Sequence, residues 1–174
     1  GELVEDGMIR YAAASNYSAE RLEQALALGE RDGAASFVAL QPEYNLLERD
    51  YERELMALCE RRGLACIPYF ALARGFLSGK YRRGGEAIDS ERASGVNEKY
   101  ANERGWAALA ALDEIAASRG AAIATVALAW LRAQPTVLAP IASATSLAQL
   151  AELTASASFE LAPDELERLD QVSR

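Results

Sequence analysis

The sequence predicts an α/β fold with four parallel strands and covering helices. Three observations carry that expectation. Short apolar runs recur along the chain, each about the length of a strand. Amphipathic stretches with helical spacing separate the early runs, and such alternation places helices over a parallel sheet. Alanine dominates a chain that is 51% hydrophobic, which favours helix through low entropy cost and argues against disorder.

The opening stretch, Gly1-Glu2-Leu3-Val4-Glu5-Asp6, reads as the end of a helix stopped near Gly7. Residues 10–14 read as a buried strand ending in the polar pair Ser15-Asn16. Ser18 is placed to cap the next helix, on which Leu22, Ala25, Leu26 and Gly29 share a face. Residues 37–40 form the second apolar run, and Pro42 discourages its continuation as a central strand. Asp50 is expected near the N-cap of the third helix, whose stripe is Leu55, Leu58 and Cys59. Gly63 suits the position just past that helix. Residues 65–69 are the third strand candidate, with Pro68 tolerated near a strand end.

Residues 82–100 are Gly-rich and charged and read as a surface loop excursion. Helical periodicity resumes over 105–118, with Leu109, Leu112, Ile115 and Ala116 on one face, and again over 123–133. Residues 137–141 give the fourth strand candidate. Ser146 is placed to cap a helix carrying Leu147, Leu150 and Leu153. Pro163 opens a last helix, with Asp164 and Glu165 at its positive end.

The chain has 174 residues, enough for one domain with a substantial core. A complete eight-stranded β/α barrel takes roughly 250. A formal net charge of −8 argues against nucleic-acid and anionic-membrane partners, although it leaves room for a local phosphate site. Cys59 and Cys66 are not in a CxxC spacing and the chain contains no histidine, so no metal site is expected. Two reduced, buried thiols are expected, as in an intracellular protein. The N-terminus lacks the basic start and apolar stretch of a signal peptide, and no apolar segment approaches 18 residues. The expected location is cytoplasmic. No Gly-x-Gly-x-x-Gly follows a strand, which weakens a doubly wound dinucleotide domain.

Four longer runs narrow the reading. IRYAAASNYSAERLEQAL, LQPEYNLLERDYERELMALC, GLACIPYFALARGFLSGKYR and APIASATSLAQLAEL together resemble the aldo-keto reductase family in order and spacing, over nearly the whole chain. They correspond to the last four βα units of that family's barrel. The resemblance therefore implies the C-terminal half of a (β/α)8 TIM barrel, a truncated barrel domain over residues 1–174.

By the same resemblance, Ser15 and Asn16 would bind the nicotinamide carboxamide and Gln41 its other edge, for which their donors and acceptors are suited. Tyr69 would lay its ring against the nicotinamide. The backbone from Leu72 to Gly75 would wrap a pyrophosphate, with Arg74 and Lys80 adding charge. Arg82 and Arg83 either extend that patch or form a solvated cluster. Ser143 and Thr145 would approach the adenosine phosphate, and Gln149 and Glu152 the adenosine end. The chain departs from common family residues at Phe70 (serine), Ala71 (proline), Thr145 (arginine in many members) and Leu153 (asparagine). The implied cofactor is NADP(H), with NAD(H) the alternative and no metal. Read on their own, Ser15-Asn16 is a capping loop, Tyr69 a core or rim side chain, and Gln149 a solvent-facing helix residue.

The resemblance implies reduction of small aldehydes or ketones by hydride transfer to the carbonyl carbon. A tyrosine gives the proton, lysine and aspartate tune it, and a histidine orients the substrate. All four come from the family's first four units, and none of the seven tyrosines here matches the catalytic one. The expectation is a portion of an NADP(H)-dependent reductase with its catalytic tetrad elsewhere, the isolated chain being inactive. A half barrel leaves open strand edges and an uncovered interior. The chain is thus expected to be a piece of a larger reductase, to pair with a separate N-terminal half, or to self-associate. The competing class is a non-catalytic dinucleotide-binding, structural or regulatory half-barrel protein. A metal-dependent aldolase fits less well, for want of ligands.

Overall fold

The computed structural model describes residues 1–33, 36–85 and 93–174. Its first half is built from strand–helix units. α1 (Glu2–Glu5) is a single turn, and Gly7 beyond it takes a left-handed φ of 69°. Then come β1 (Ala12–Ser15), α2 (Ala19–Asp32), β2 (Phe37–Gln41), α3 (Leu55–Arg62) and β3 (Ala65–Cys66). The three strands are parallel, in the order β1-β2-β3. Ser18 caps α2 by accepting from the Arg21 N–H. Gly33 and Gly63, both left-handed, close α2 and α3, as glycine does where a helix must turn away. Ala14, Leu40 and Cys66 are register partners across the sheet and are buried in one core with Leu22 and Leu26 of α2 and Leu58 of α3. Burying each of those leucines contributes about 1.5–3 kcal/mol.

The sheet has three strands, not the four expected. Residues 137–141 make a single parallel bridge, Cys66 with Val137, carried by Cys66 N–H to Thr136 O at 2.8 Å and Leu138 N–H to Cys66 O at 2.9 Å. The next two donors of a parallel ladder would be the backbone nitrogens of residues 68 and 140. Both are proline and have no N–H. Ile141 N–H reaches Pro68 O instead, at 2.8 Å, one residue out of step. On the opposite edge Pro42 has no N–H to give to Ile67 O, so the β2–β3 ladder breaks there and β3 stops at Cys66 rather than running to residue 69. Val38 is the extra residue where the β1–β2 register slips. It stays exposed, as do Tyr11, Leu138 and Ile141.

The second half is helical: α4 (Ala93–Tyr100), α5 (Glu103–Arg119), α6 (Ile123–Arg132), α7 (Leu147–Ala155) and α8 (Pro163–Ser173). α5 packs on α6 and α8, and α6 on α7. α6 is buried from Ala124 through Leu131, so it is apolar nearly all round, as a central helix must be. Asn102 caps α5 by accepting from Gly105 N–H at 3.0 Å. At Gly105 a Cβ would stand 1.9 Å from the Tyr100 carbonyl oxygen, so the α4–α5 corner admits only glycine. Two expectations change here. Asp50 begins a 3-10 turn (Asp50–Glu52) and faces Arg53 rather than capping α3, which starts later at Leu55. The predicted excursion over 82–100 ends in α4, with Val96 and Tyr100 buried, while its residues 86–92 lie outside the described residues.

One polar hub joins the two halves. The Arg49 guanidinium donates to Glu52 at 2.7 and 2.9 Å, to Asp170 at 2.8 Å and to Ser173 at 2.8 Å. Its face lies 4.9 Å from the Trp130 ring. The Trp130 indole N–H donates to the same Asp170 oxygen, and Tyr44 OH donates to Glu52. A rigid fork that meets two carboxylates and stacks on an indole is a task for arginine, not lysine. Among the described residues no buried side-chain polar atom lacks a partner, and no single helix is long and apolar enough to cross a membrane.

Burial pushes the Cys66 thiol from 9.0 up to about 12, and it raises Cys59 as well. A raised thiol keeps its proton in the folded state after the unfolded chain has lost it. The stabilising contribution is therefore complete below pH 9 and is lost as pH rises toward 12. Urea midpoints from pH 8 to 11 should fall from about pH 9 upward, at roughly 1.4 kcal/mol per pH unit per group. Cys66→Ala should make that fall shallower, whatever it costs at neutral pH.

Candidate functional site

A cleft of about 600 Å³ opens where the strands run into their following segments. That is the end of a parallel sheet at which ligands gather, because backbone groups there are not used up by the ladder. One wall is the loop 69–80 after β3. The other is formed by residues 141–145, the start of α6 at Ala124, and Gln149, Glu152 and Leu153 of α7. The volume falls within the range of small-molecule sites.

The β3 loop has unusual backbone geometry. Phe70 (φ 51°), Ala73 (φ 48°), Arg74 (φ 56°), Gly75 (φ 97°) and Gly79 (φ 83°) all lie in the left-handed region. Each non-glycine residue there costs about 1–2 kcal/mol. The loop is held in place by its interior. Ala73, Phe76 and Leu77 are fully buried, and the Phe76 ring packs 5.2 Å from Trp106 and 5.8 Å from Tyr100. Asn45, itself fully buried, donates to the Phe70 carbonyl at 3.0 Å. Ala73 N–H closes onto Phe70 O and Gly75 N–H onto Leu72 O. A Cβ on Gly79 would stand 2.6 Å from Ile123 Cδ1, so that residue lets the loop pass α6. Strain of this kind gathers at functional loops.

Two cations line the cleft, Arg74 and Lys80. The Arg74 guanidinium stacks 4.2 Å over the Phe70 ring, and the Lys80 ammonium lies 5.4 Å from the Tyr81 ring. Arg82 and Arg83 do not extend this patch: they pair with Asp113 and Glu103 of α5. On the facing wall, Thr145 donates from its N–H and hydroxyl to Gln149 Oε1 at 2.8 and 3.0 Å. Ser146 caps α7 by accepting from Gln149 N–H. The Gln149 carbonyl oxygen is thus committed to its own loop.

Of the residues assigned to a cofactor from sequence, Tyr69, Leu72, Arg74, Lys80, Ser143, Thr145, Gln149 and Glu152 line the cleft together. Ser15, Asn16 and Gln41 do not line it, but a chain of hydrogen bonds joins them to its rim. Tyr69 OH donates to Asn16 Oδ1 at 2.8 Å, Asn16 Nδ2 to Ser15 Oγ at 3.2 Å, and Ser15 Oγ to Gln41 O at 2.9 Å. Sequence reasoning missed Ser78, Ala124, Ile141 and Ala142 as lining. Small and aliphatic residues carry no chemical signal, and only the fold brings α6 to this rim. Among the described residues no three His, Cys, Asp or Glu side chains gather to hold a metal ion.

The lining suits a dinucleotide. Arg74 and Lys80 stand beside the looped 72–75 backbone, with Phe70, Ile141 and Leu153 for apolar contact and hydroxyl and amide groups and the Glu152 carboxylate opposite.

Comparison with known proteins gives a consistent result. The model of the Aldo/keto reductase family matches residues 1–174. An aldo-keto reductase of Fusarium vanettenii is 32% identical over 98% of this chain and 46% of its own length. L-glyceraldehyde 3-phosphate reductase of Escherichia coli is 30% identical over 97% of the chain and 50% of its own length. The crystal structure of a thermostable aldo-keto reductase with the inhibitor epalrestat superposes with a TM-score of 0.71 at 29% identity, covering 98% of this chain and 51% of that one. The chain spans about half the length of the curated relatives it matches.

The exposed Arg74 separates strain from charge. Arg74→Gly should raise stability by about 1 kcal/mol in urea melts, because glycine takes the left-handed region freely. Arg74→Ala should bring no such gain. Equal stability of the two variants would mean that the loop stores no strain at this position.

Proposed function

Because the chain belongs to the aldo/keto reductase family, we propose that it is the cofactor-holding C-terminal half of a (β/α)8 reductase that uses NADP(H) to reduce small aldehydes or ketones. In this reading the fourth segment, 137–141, is the last strand position of the barrel, and the other half supplies the catalytic tetrad. The observation that carries the proposal is the cleft. Arg74, Lys80, Tyr69 and the Ser143–Glu152 wall converge there, and a hydrogen-bonded chain leads on to Asn16, Ser15 and Gln41.

A bound NADPH supplies a hydride to a carbonyl carbon. The chain's own residues hold and orient. Arg74 and Lys80 give charge-assisted bonds to a pyrophosphate beside the 72–75 backbone. The Tyr69 ring stands at the rim, where an aromatic face can cover one side of a flat heterocycle. Asn16 and Gln41 offer amides that match a carboxamide edge. Ser143, Thr145 and Glu152 would hold the adenosine end. Reduction also needs a proton on the carbonyl oxygen, and three buried tyrosines here are poor sources. Tyr44, Tyr51 and Tyr100 are held above the ordinary phenol range, first by burial, and their hydroxyls lie at Glu52, Thr136 and Glu43. The proposal assigns proton donation to the other half and expects the isolated chain to be inactive.

The test is a titration of the chain with NADPH and NADH, followed by an aldehyde reduction assay. Saturable NADPH binding without turnover is the expected result. Arg74→Ala and Lys80→Ala should each weaken binding about five- to tenfold, the modest value reflecting their exposure. Binding that ignores both substitutions would remove the phosphate assignment. Steady aldehyde reduction by the pure chain would overturn the division of labour.

A further inference from the structure

We propose that Lys99 is a positioning residue for the cleft: held between Glu43 and Glu48, it locks α4 onto the turn after β2 and thereby fixes the backbone of the cleft loop. The inference rests on the cofactor reading of that cleft. Lys99 Nζ lies 3.1 Å from Glu43 Oε1 and 3.0 Å from Glu48 Oε1. Tyr100 OH, from the next residue of α4, donates to the same Glu43 oxygen at 3.4 Å. Burial opposes the charge on Lys99, but the bonds to Glu48 and Glu43 outweigh it and raise the ammonium above its ordinary range.

A single pair at this exposure contributes little. The arrangement matters because one cation is shared by two carboxylates of a closed turn. Asn45 N–H donates to Glu48 O at 3.2 Å and Glu48 N–H returns to Asn45 O at 3.1 Å. Without the ammonium, two negative charges would face each other across that turn and push it open.

The turn and α4 reach the cleft from two sides. Glu43 is the bridge partner of Tyr69, and Tyr69 N–H donates to Pro42 O at 3.0 Å. Asn45, between the two carboxylates in sequence, holds the Phe70 carbonyl. From the other side, α4 packs on the 73–78 segment, with Val96 and Tyr100 buried and the Tyr100 ring 5.8 Å from Phe76. Gln41 lies two residues before Glu43. One clamp thus ties together the backbone that presents Gln41, Tyr69 and Arg74, although Lys99 itself does not line the cleft.

The experiment compares Lys99→Met, Lys99→Arg and the double variant Lys99→Met with Glu48→Gln in the full chain. NADPH affinity is read by protein fluorescence. Hydrogen exchange at the Gly75 and Leu77 amides is read without dinucleotide. Lys99→Met should weaken NADPH about fivefold and speed exchange at both amides, a range typical of coupling through a packed element. Lys99→Arg should stay near the parent, and Glu48→Gln should restore most of what Lys99→Met loses. Parent-like affinity in Lys99→Met overturns the proposal, and so does weakened binding with unchanged exchange or without relief by Glu48→Gln. A parent chain that takes up no dinucleotide overturns it by removing the cofactor reading. The exchange data then distinguish that failure from a clamp that does nothing.

Discussion

The buried amide of Asn45 sets the geometry on which the cleft depends. Its oxygen accepts from Leu47 N–H at 2.9 Å and Glu48 N–H at 3.1 Å, and its nitrogen donates to Phe70 O at 3.0 Å. One side chain thereby closes the turn after β2 and anchors the first left-handed residue after β3. A carboxylate could accept the two N–H groups but could not donate to a carbonyl. An apolar residue would leave Leu47 N–H without its partner, at about 1–3 kcal/mol for an unsatisfied buried group, and would reduce Glu48 N–H and Phe70 O to one bond each, with Asn45 O and Ala73 N–H. The strained run that follows holds because its start is fixed here and its interior side chains are fully buried.

The left-handed residues and the two prolines act in opposite ways on the same rim. Pro68 and Pro140 remove ladder donors and release the chain from regular pairing just where the cleft begins. Phe70, Ala73 and Arg74 then set the path of the released chain. The exposed Arg74 guanidinium sits over the Phe70 ring, 4.2 Å from its centroid. A stacked guanidinium keeps its edge N–H groups free for an anion while its face is used in packing. The family comparison and the physical description meet at this loop, which is where the charge, the strain and the cleft coincide.

Much of the scaffold was legible in the sequence, because the signals were local. Ser18 and Ser146 cap the helices they precede, Gly63 ends α3, and Leu109, Leu112, Ile115 and Ala116 are buried together on α5. The wrong expectations share a cause: each needed knowledge of a distant partner. Asp50 has a capping side chain but sits in a 3-10 turn ahead of α3. Residues 137–141 have strand composition, yet their pairing is cut short by a proline on each side. Left-handed Ala73 and Arg74 leave no trace in residue type, since neither favours that conformation. The bond from Thr145 to Gln149 Oε1, four residues on, was likewise not legible from residue type. Glu43 has its partner, Lys99, 56 residues on.

The Arg49 hub also bears on the order of assembly. Arg49 and Asp170 are 121 residues apart in the chain. During synthesis these strand–helix units emerge before α8, and Arg49 waits for a carboxylate that α8 carries. Until α8 arrives, the Trp130 indole N–H has no acceptor from Asp170 and the guanidinium has only Glu52. α8 is therefore less an appendage than a latch, and the hydrogen bonding around Trp130 becomes complete only when α8 docks.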